Sequence, residues 1–421
     1  MNLAVIGLGK LGLPFAAWLA SKGHQITGID KNPSLIKDLQ GGICPIQETS
    51  LPEYLSRSKG HLLFVEDGED ALVAADIIFI VVPTPSEPSG AFSIHFVLEA
   101  IKTIGHAMAR QRKYRLVVVT STVMPGQMAK IQIALEQAAS RKCGPGFGLC
   151  YNPEFIALGS VLRDLDNPDL VLVGQSDGIA GAHLGSFYAE IYREHILKTL
   201  HVTSFINAEV AKLSINAFLT TKIMFACQMA RLAEKIPGAD VDILSAIVGA
   251  DSRIGQKYLT GGNGYGGPCF PRDARALAQL EYSLGVSPRL IRAVEEENES
   301  QIWVINSRIC ELTPEGGTVL VLGMAYKPGT AITDESQGKR LISGLKTRRT
   351  LWYDPMVKGG VCPEELNSAI SSADAVVIMQ PCPEFKGLDY GDTAVIDCWR
   401  LLRDCPPKKW HPMGIGGKHE T

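Results

Sequence analysis

The segment Gly261-Gly262-Asn263-Gly264-Tyr265-Gly266-Gly267-Pro268-Cys269-Phe270-Pro271-Arg272-Asp273 concentrates the residue types most able to do covalent chemistry. Five glycines in the seven positions 261–267 exclude a regular helix or strand and predict a loop whose backbone approaches a ligand closely. Pro271 suits the first turn of a following helix, 272–280. Cys269 would then lie just before a helix amino terminus, where the dipole favours thiolate. That is the setting of a nucleophile, whereas buried thiols are expected for the rest of the ten cysteines. Asp273, one helical turn on, could orient a neighbouring amine or help activate water.

Upstream, Lys212, Asn216 and Thr220 recur every four residues and share one face of a helix expected over 207–235. Lys212 and Asn216 could hold the oxygen of a reacting alcohol, aldehyde or tetrahedral intermediate; the alternative is a solvated polar stripe. At the amino terminus, Gly7-Leu8-Gly9-Lys10-Leu11-Gly12 follows an apolar strand and opens a helix, and Asp30 closes the next strand. This context supports a dinucleotide site: Gly7, Gly9, Leu11 and Gly12 cradle a pyrophosphate on the helix amino terminus, and Asp30 accepts from a ribose 2′-hydroxyl. Asp30 favours NAD over NADP, and the neighbouring Lys31 softens that preference. The turns Pro83-Thr84-Pro85 and Ser121-Thr122 end further strands, so Thr84 and Thr122 either contact cofactor or substrate or cap their turns.

These groups need a scaffold, and apolar runs supply one. Strands are expected at 2–6, 25–29, 77–82, 116–120, 149–151 and 170–173, with helices between several of them. That alternation implies parallel β-α-β units in a doubly wound sheet over about the first 200 residues. A helical region follows at 201–300, and strand–helix alternation resumes from Thr318 to about 405. The fold class is therefore α/β, two doubly wound Rossmann-like domains joined by a central helical domain. Residues 406–421, basic and rich in glycine and proline, are expected to be a disordered tail.

Composition narrows the partners. A net charge of −3 over 421 residues offers no electrostatic reason for binding nucleic acid or an anionic membrane. No uninterrupted apolar run reaches a membrane-spanning length, and the first residues lack the basic start of a signal peptide. The cysteines form no C-x-x-C pair, so neither a metal site nor a disulfide framework is expected. A cytoplasmic enzyme with reduced thiols is the expectation.

Taken with Pro45-Ile46-Gln47-Glu48, Asn152-Pro153-Glu154-Phe155 and Asp251-Ser252-Arg253-Ile254-Gly255, the constellation resembles the UDP-glucose/GDP-mannose dehydrogenase family over about residues 1–400. The resemblance implies four-electron oxidation of a nucleotide sugar's primary alcohol to the uronate with two NAD⁺, most simply on a UDP-sugar such as UDP-glucose. It implies an NAD-binding domain over 1–200, a central domain over 201–300 carrying the catalytic lysine, asparagine and cysteine, and a nucleotide-sugar-binding domain over 301–405. Cys269 would form a thiohemiacetal and then a thioester, Lys212 and Asn216 would stabilise the oxyanions, and Glu154, Thr122 or Asp273 would position water. Phe155, Tyr258 and Gly266 would line the sugar site, and Lys327 would contact the nucleotide. Arg253 would enter from the second subunit of a homodimer.

Three departures concern substrate and cofactor rather than the reacting groups. Ile156-Ala157-Leu158 replaces Leu-Arg-Glu, Asp334 stands where the family carries an arginine, and Trp399-Arg400 replaces an Arg-Asn pair. UDP-N-acetylhexosamine or GDP-mannose oxidation, and single-step oxidation of a β-hydroxyacid type, are the alternative activities; a silent NAD or nucleotide-sugar binder is the alternative class.

Overall fold

The structure, a computed structural model, describes residues 1–417. The chain divides into two compact units, Met1–Leu213 and Ser214 onward. The division falls inside the helix Phe205–Glu234, because Phe205, Ala208 and Ala211 pack into the core of the first unit. The expected boundary at 300/301 lies within the helix Arg289–Leu312, and both of its sides belong to the second unit.

The first unit contains β1 (Asn2–Ile6), β2 (Gln25–Ile29), β3 (Leu62–Val65), β4 (Ile77–Ile80), β5 (Leu116–Val119), β6 (Gly148–Tyr151), β7 (Val171–Gln175) and β8 (Leu200–Ser204). They form one sheet in the order β3-β2-β1-β4-β5-β6-β7-β8. Helices cover both faces, so β4, β5 and β6 are buried at every position, as a central parallel sheet requires. All pairings are parallel except β6 with β7, which run antiparallel, a correction to the uniform β-α-β reading. The short helix Val161–Asp166 between β6 and β7 makes no crossover, so the chain simply reverses there.

The second unit contains the remainder of the long helix, the helices Val241–Ala250, Phe270–Ser283 and Arg289–Leu312, and a second sheet. Its strands are β9 (Thr318–Leu322), β10 (Arg349–Tyr353), β11 (Ala375–Ile378), β12 (Ala394–Asp397) and β13 (Trp410–Pro412), ordered β10-β9-β11-β12-β13 and all parallel. The presence of β13 corrects the expected tail over 406–417. Val395 donates to the Lys409 carbonyl (2.9 Å), Met413 donates to that of Asp397 (3.0 Å), and Met413 is buried, so the segment satisfies the edge of β12. Residues 418–421 of that call lie outside the described residues.

In each sheet the strand order reverses at the strand after which a glycine turn sits. Gly7 follows β1 with φ +93°, and a Cβ there would meet the Val81 carbonyl oxygen at 2.5 Å; Gly323 follows β9 with φ +103°, and its Cβ would meet Gln380. A Cβ on Gly12 would strike the Gly7 carbonyl, and one on Gly338 would strike that of Gly323. Asp30 accepts from the Leu8 amide (2.8 Å), just as Asp354 accepts from the amides of Met324 and Ala325 (both 2.8 Å). One device thus shapes both strand-to-helix turns, at the position where such sheets bind ligands.

The long helix is also long and apolar enough to cross a membrane by length and composition alone. It nevertheless buries Glu209, Lys212, Asn216 and Thr220, the arrangement of a core helix whose polar groups find protein partners.

Candidate active site

In the first unit the glycine turn presents an open side. A Cβ on Gly9 would meet nothing within 4 Å, unlike Gly7 and Gly12, and no side chain caps the helix that starts at Gly12. A helix amino terminus without a side-chain cap, beside a turn exposed at Gly9 and Lys10, fits a dinucleotide pyrophosphate. Both Asp30 oxygens accept main-chain amides, from Leu8 and from Asn32 (2.9 Å), which holds the carboxylate in place with acceptor capacity to spare for a ribose hydroxyl. Lys31, expected to soften the preference for NAD, instead reaches Glu99 (2.8 Å).

Thr84 is buried and its hydroxyl donates to the Thr122 carbonyl (2.8 Å), while Ser121 donates to that of Val82 (2.7 Å). The two turns are therefore tied together, and turn fixation accounts for at least one role of Thr84. Thr122 is partly buried. The helix Gln127–Ala139 that follows has no cap of its own; Glu209 provides it, accepting from the amides of Gly126 (2.8 Å) and Met128 (2.7 Å). Burial pushes the Glu209 carboxyl upward, and these amides offset that only in part. Glu209 was not foreseen, although a lone acidic residue three before Lys212 in an apolar helix carried the signal.

Lys212 is buried, donates to the main-chain carbonyl of Glu154 (2.6 Å), and lies 4.6 Å from the centre of the Phe155 ring. Glu154 is partly buried, and its carboxyl is pushed up to about 7 by burial against the opposing pull of Lys212. A carboxyl with that value exchanges protons near neutrality, as a general acid or base must. The loop bearing it is stapled by Glu48, another residue without an assigned role, whose two oxygens accept from Gly159 (2.6 Å) and Val161 (2.9 Å). Ile156 and Leu158 pack against the core there.

In the second unit, Asn216 donates its amide to buried Asp273 (2.7 Å), which also accepts from Arg272 (3.0 Å). Asp273 thus orients an amide rather than an amine, holding the Asn216 side chain in one orientation. Cys269 is exposed and occupies the cap position of the helix Phe270–Ser283, with Pro271 in its first turn. Cys269 thus sits at the electropositive end of that helix.

The glycines before it have a different cause from the one expected. Added Cβ atoms at Gly261, Gly262, Gly264, Gly266 and Gly267 would meet Ala226, Trp399, Asn298, Glu335 and Tyr326 at 2.7, 2.7, 2.3, 2.3 and 2.5 Å. Protein, not open space, presses on each one. Asn298 accepts from the Tyr265 amide (2.9 Å) and donates to its carbonyl (3.0 Å), Gln301 donates to Gly262 (2.7 Å), and Arg400 donates to Gly261 (2.6 Å). The loop is a clamped wedge. Trp399 and Arg400, two of the departures from the resemblance, belong to the clamp; at the third, Asp334, it is the main-chain carbonyl that accepts the Gly267 amide (2.9 Å).

Of the remaining expected residues, Gly266 is buried in this loop, and Tyr258 takes φ +67° with its ring 6.1 Å from that of Phe270. Arg253 is highly exposed and pairs with Asp251 of its own turn (2.6 Å). Lys327 lies over the Tyr326 ring, beside the second glycine turn. No cluster of potential metal ligands occurs among the described residues.

Known proteins share this architecture along the whole chain. Residues 1–195 match the NAD binding domain, 206–300 the central domain and 320–404 the UDP binding domain of the UDP-glucose/GDP-mannose dehydrogenase family. The UDP-glucose 6-dehydrogenase AglM of Haloferax volcanii is 31% identical over 405 residues, 92% of this chain and 93% of that protein. Among solved structures, a UDP-glucose dehydrogenase from Pyrobaculum islandicum superposes with a TM-score of 0.85 at 32% identity, covering 98% of this chain and 97% of its own. A UDP-D-ManNAc dehydrogenase from Pyrococcus horikoshii also gives 0.85, at 26% identity and 98% and 99% coverage.

Proposed function

Since the chain belongs to the UDP-glucose/GDP-mannose dehydrogenase family, we propose that it oxidises the C6 alcohol of a UDP-sugar, UDP-glucose first, to the uronate through a covalent Cys269 intermediate. The observation that carries this reading is Cys269 itself, exposed at a helix amino terminus on a clamped loop. Among alcohol oxidations, one that stops at the carbonyl has no use for such a nucleophile, whereas one that passes beyond the aldehyde does.

NAD⁺, when bound by the turn at Gly7–Gly12 and Asp30, supplies the acceptor for one hydride in each of two oxidations. Lys212 and Asn216 polarise the substrate oxygen as it becomes an alkoxide, and a base takes the alcohol proton. The Cys269 thiolate adds to the aldehyde carbon, giving a thiohemiacetal whose oxyanion the same two side chains stabilise. Loss of the second hydride leaves a thioester. Glu154 takes a proton from water, the hydroxide adds to the thioester carbon, and the Cys269–carbon bond breaks to release the thiolate and the carboxylic acid, which loses its proton to solvent. Asp273 keeps the Asn216 amide aimed.

The protein acts as a cytoplasmic homodimer in this reading. Phe218, Phe225 and Leu232 are exposed and spaced seven apart on the long helix, giving one apolar stripe for a second copy. Counting NADH formed per sugar consumed tests the chemistry: two supports it, and one leaves the single-step alternative. Ile156-Ala157-Leu158 and the Pyrococcus horikoshii likeness favour including UDP-N-acetylhexosamines beside UDP-glucose and GDP-mannose in that assay.

A further inference from the structure

The cofactor turn carries an opposed pair of charges that the reaction itself does not require. Asp30 directly follows β2 and is held by the amides of Leu8 and Asn32, so its carboxylate would face the 2′ position of a bound adenosine ribose. The next residue, Lys31, is the type of group that would accommodate a 2′-phosphate there. Its Nζ, however, lies 2.8 Å from Oε2 of Glu99, a residue of the helix His95–Arg110, and His95 Nε2 lies 3.3 Å from the other oxygen of the same carboxylate. Lys31 holds the Glu99 carboxyl below the usual carboxylate range, so Glu99 is anionic at neutral pH.

We propose that Glu99 is a specificity-determining residue that keeps Lys31 from serving a 2′-phosphate and so enforces selection of NAD over NADP. Two effects add. Glu99 competes with a phosphate for the Lys31 ammonium, and its own charge repels a dianion brought beside Asp30. Neither effect touches NAD, whose 2′-hydroxyl is neutral. The pair lies at the surface, so its contribution is limited and is screened by salt.

The inference concerns the NAD-binding domain and is read by cofactor binding without sugar, so failure of the proposed sugar chemistry would leave the result unchanged. The test titrates NADPH and NADH into the purified full chain and follows ligand fluorescence at low ionic strength. Glu99→Gln is expected to tighten NADPH about fivefold while changing NADH less than about twofold. Lys31→Ala in the Glu99→Gln background is expected to remove most of that gain. NADPH binding unchanged by Glu99→Gln would overturn the proposal, as would a full gain that persists without Lys31.

Discussion

Cys269 and Glu154 divide the proposed chemistry at the scale of single residues, and each makes a separable prediction. Cys269→Ser keeps the shape of the helix cap but replaces a sulfur nucleophile by a hydroxyl of much higher pKa. Uronate formation should fall at least about a thousandfold while NADH binding, in the other unit, changes little. Unaltered acid production measured by chromatography would remove the covalent step. For Glu154 the sign follows from burial. Its carboxyl, raised to about 7, must be ionised to act as a base, so thioester hydrolysis should rise with pH through that value and level off above it. Glu154→Gln should lower the hydrolysis rate about a hundredfold or more and abolish that limb of the profile. Stability runs the other way. Between the ordinary carboxyl value and about 7 the folded chain holds a proton that the unfolded chain releases, so this group's contribution weakens as pH rises across that window. A hydrolysis limb that persists near 7 in Glu154→Gln would assign the base to another group.

The wedge before Cys269 shows at the scale of an element what was legible and what was not. The cysteine, the Pro271 helix start and the Asp273 turn could be read from spacing alone, because helix termini follow local rules. The purpose of the glycines could not be, because Asn298, Glu335, Tyr326 and Trp399 meet them from remote parts of the sequence. The partner of Gly323 in the second glycine turn was hidden for a similar reason. Gly12 follows Gly7 by five residues and gives a recognisable motif, whereas a loop of irregular chain separates Gly338 from Gly323. Only the fold reveals that both pairs perform the same close approach. The wedge predicts that Gly267→Ala should be far more harmful than its size suggests. Gly267 has φ +89°, and a Cβ would lie 2.5 Å from the Tyr326 ring, two residues from Cys269. Loss of about 2 kcal/mol or more of stability should accompany a large fall in kcat, as the thiol moves. Gly285→Ala is the control, since Gly285 has φ +74° but open space around it; it should cost only about 1 kcal/mol and leave kcat near normal. Calorimetry and steady-state kinetics on both variants would separate the two, and equal kcat losses would deny the wedge its positioning role.

At the scale of the whole molecule, the two sheets and the helical region between them were legible because strand and helix periods alternate cleanly along the chain. The division into compact units was not, since it falls inside one continuous helix, the expected boundary at 300/301 falls inside another, and side-chain packing decides where one core ends. Assembly is the scale at which Arg253 acquires meaning. Its side chain is 86% exposed and bound only within its own turn to Asp251, a poor position for work inside the same subunit and a suitable one for reaching a second copy. The stripe of Phe218, Phe225 and Leu232, spaced seven residues apart, would supply apolar surface for the proposed dimer. Arg253→Ala and Cys269→Ser should each be nearly inactive alone. Coexpressed in equal amounts, about half of the dimers are mixed, and in each of these one site combines an intact Cys269 with an intact Arg253 from the other chain. Activity should therefore return to about a quarter of the wild-type value per site. An arginine acting within its own subunit gives no recovery at all, because every site would then lack one of the two groups. Purifying the mixed dimer through two different affinity tags before assay raises the expected value to about half and removes any dependence on the expression ratio.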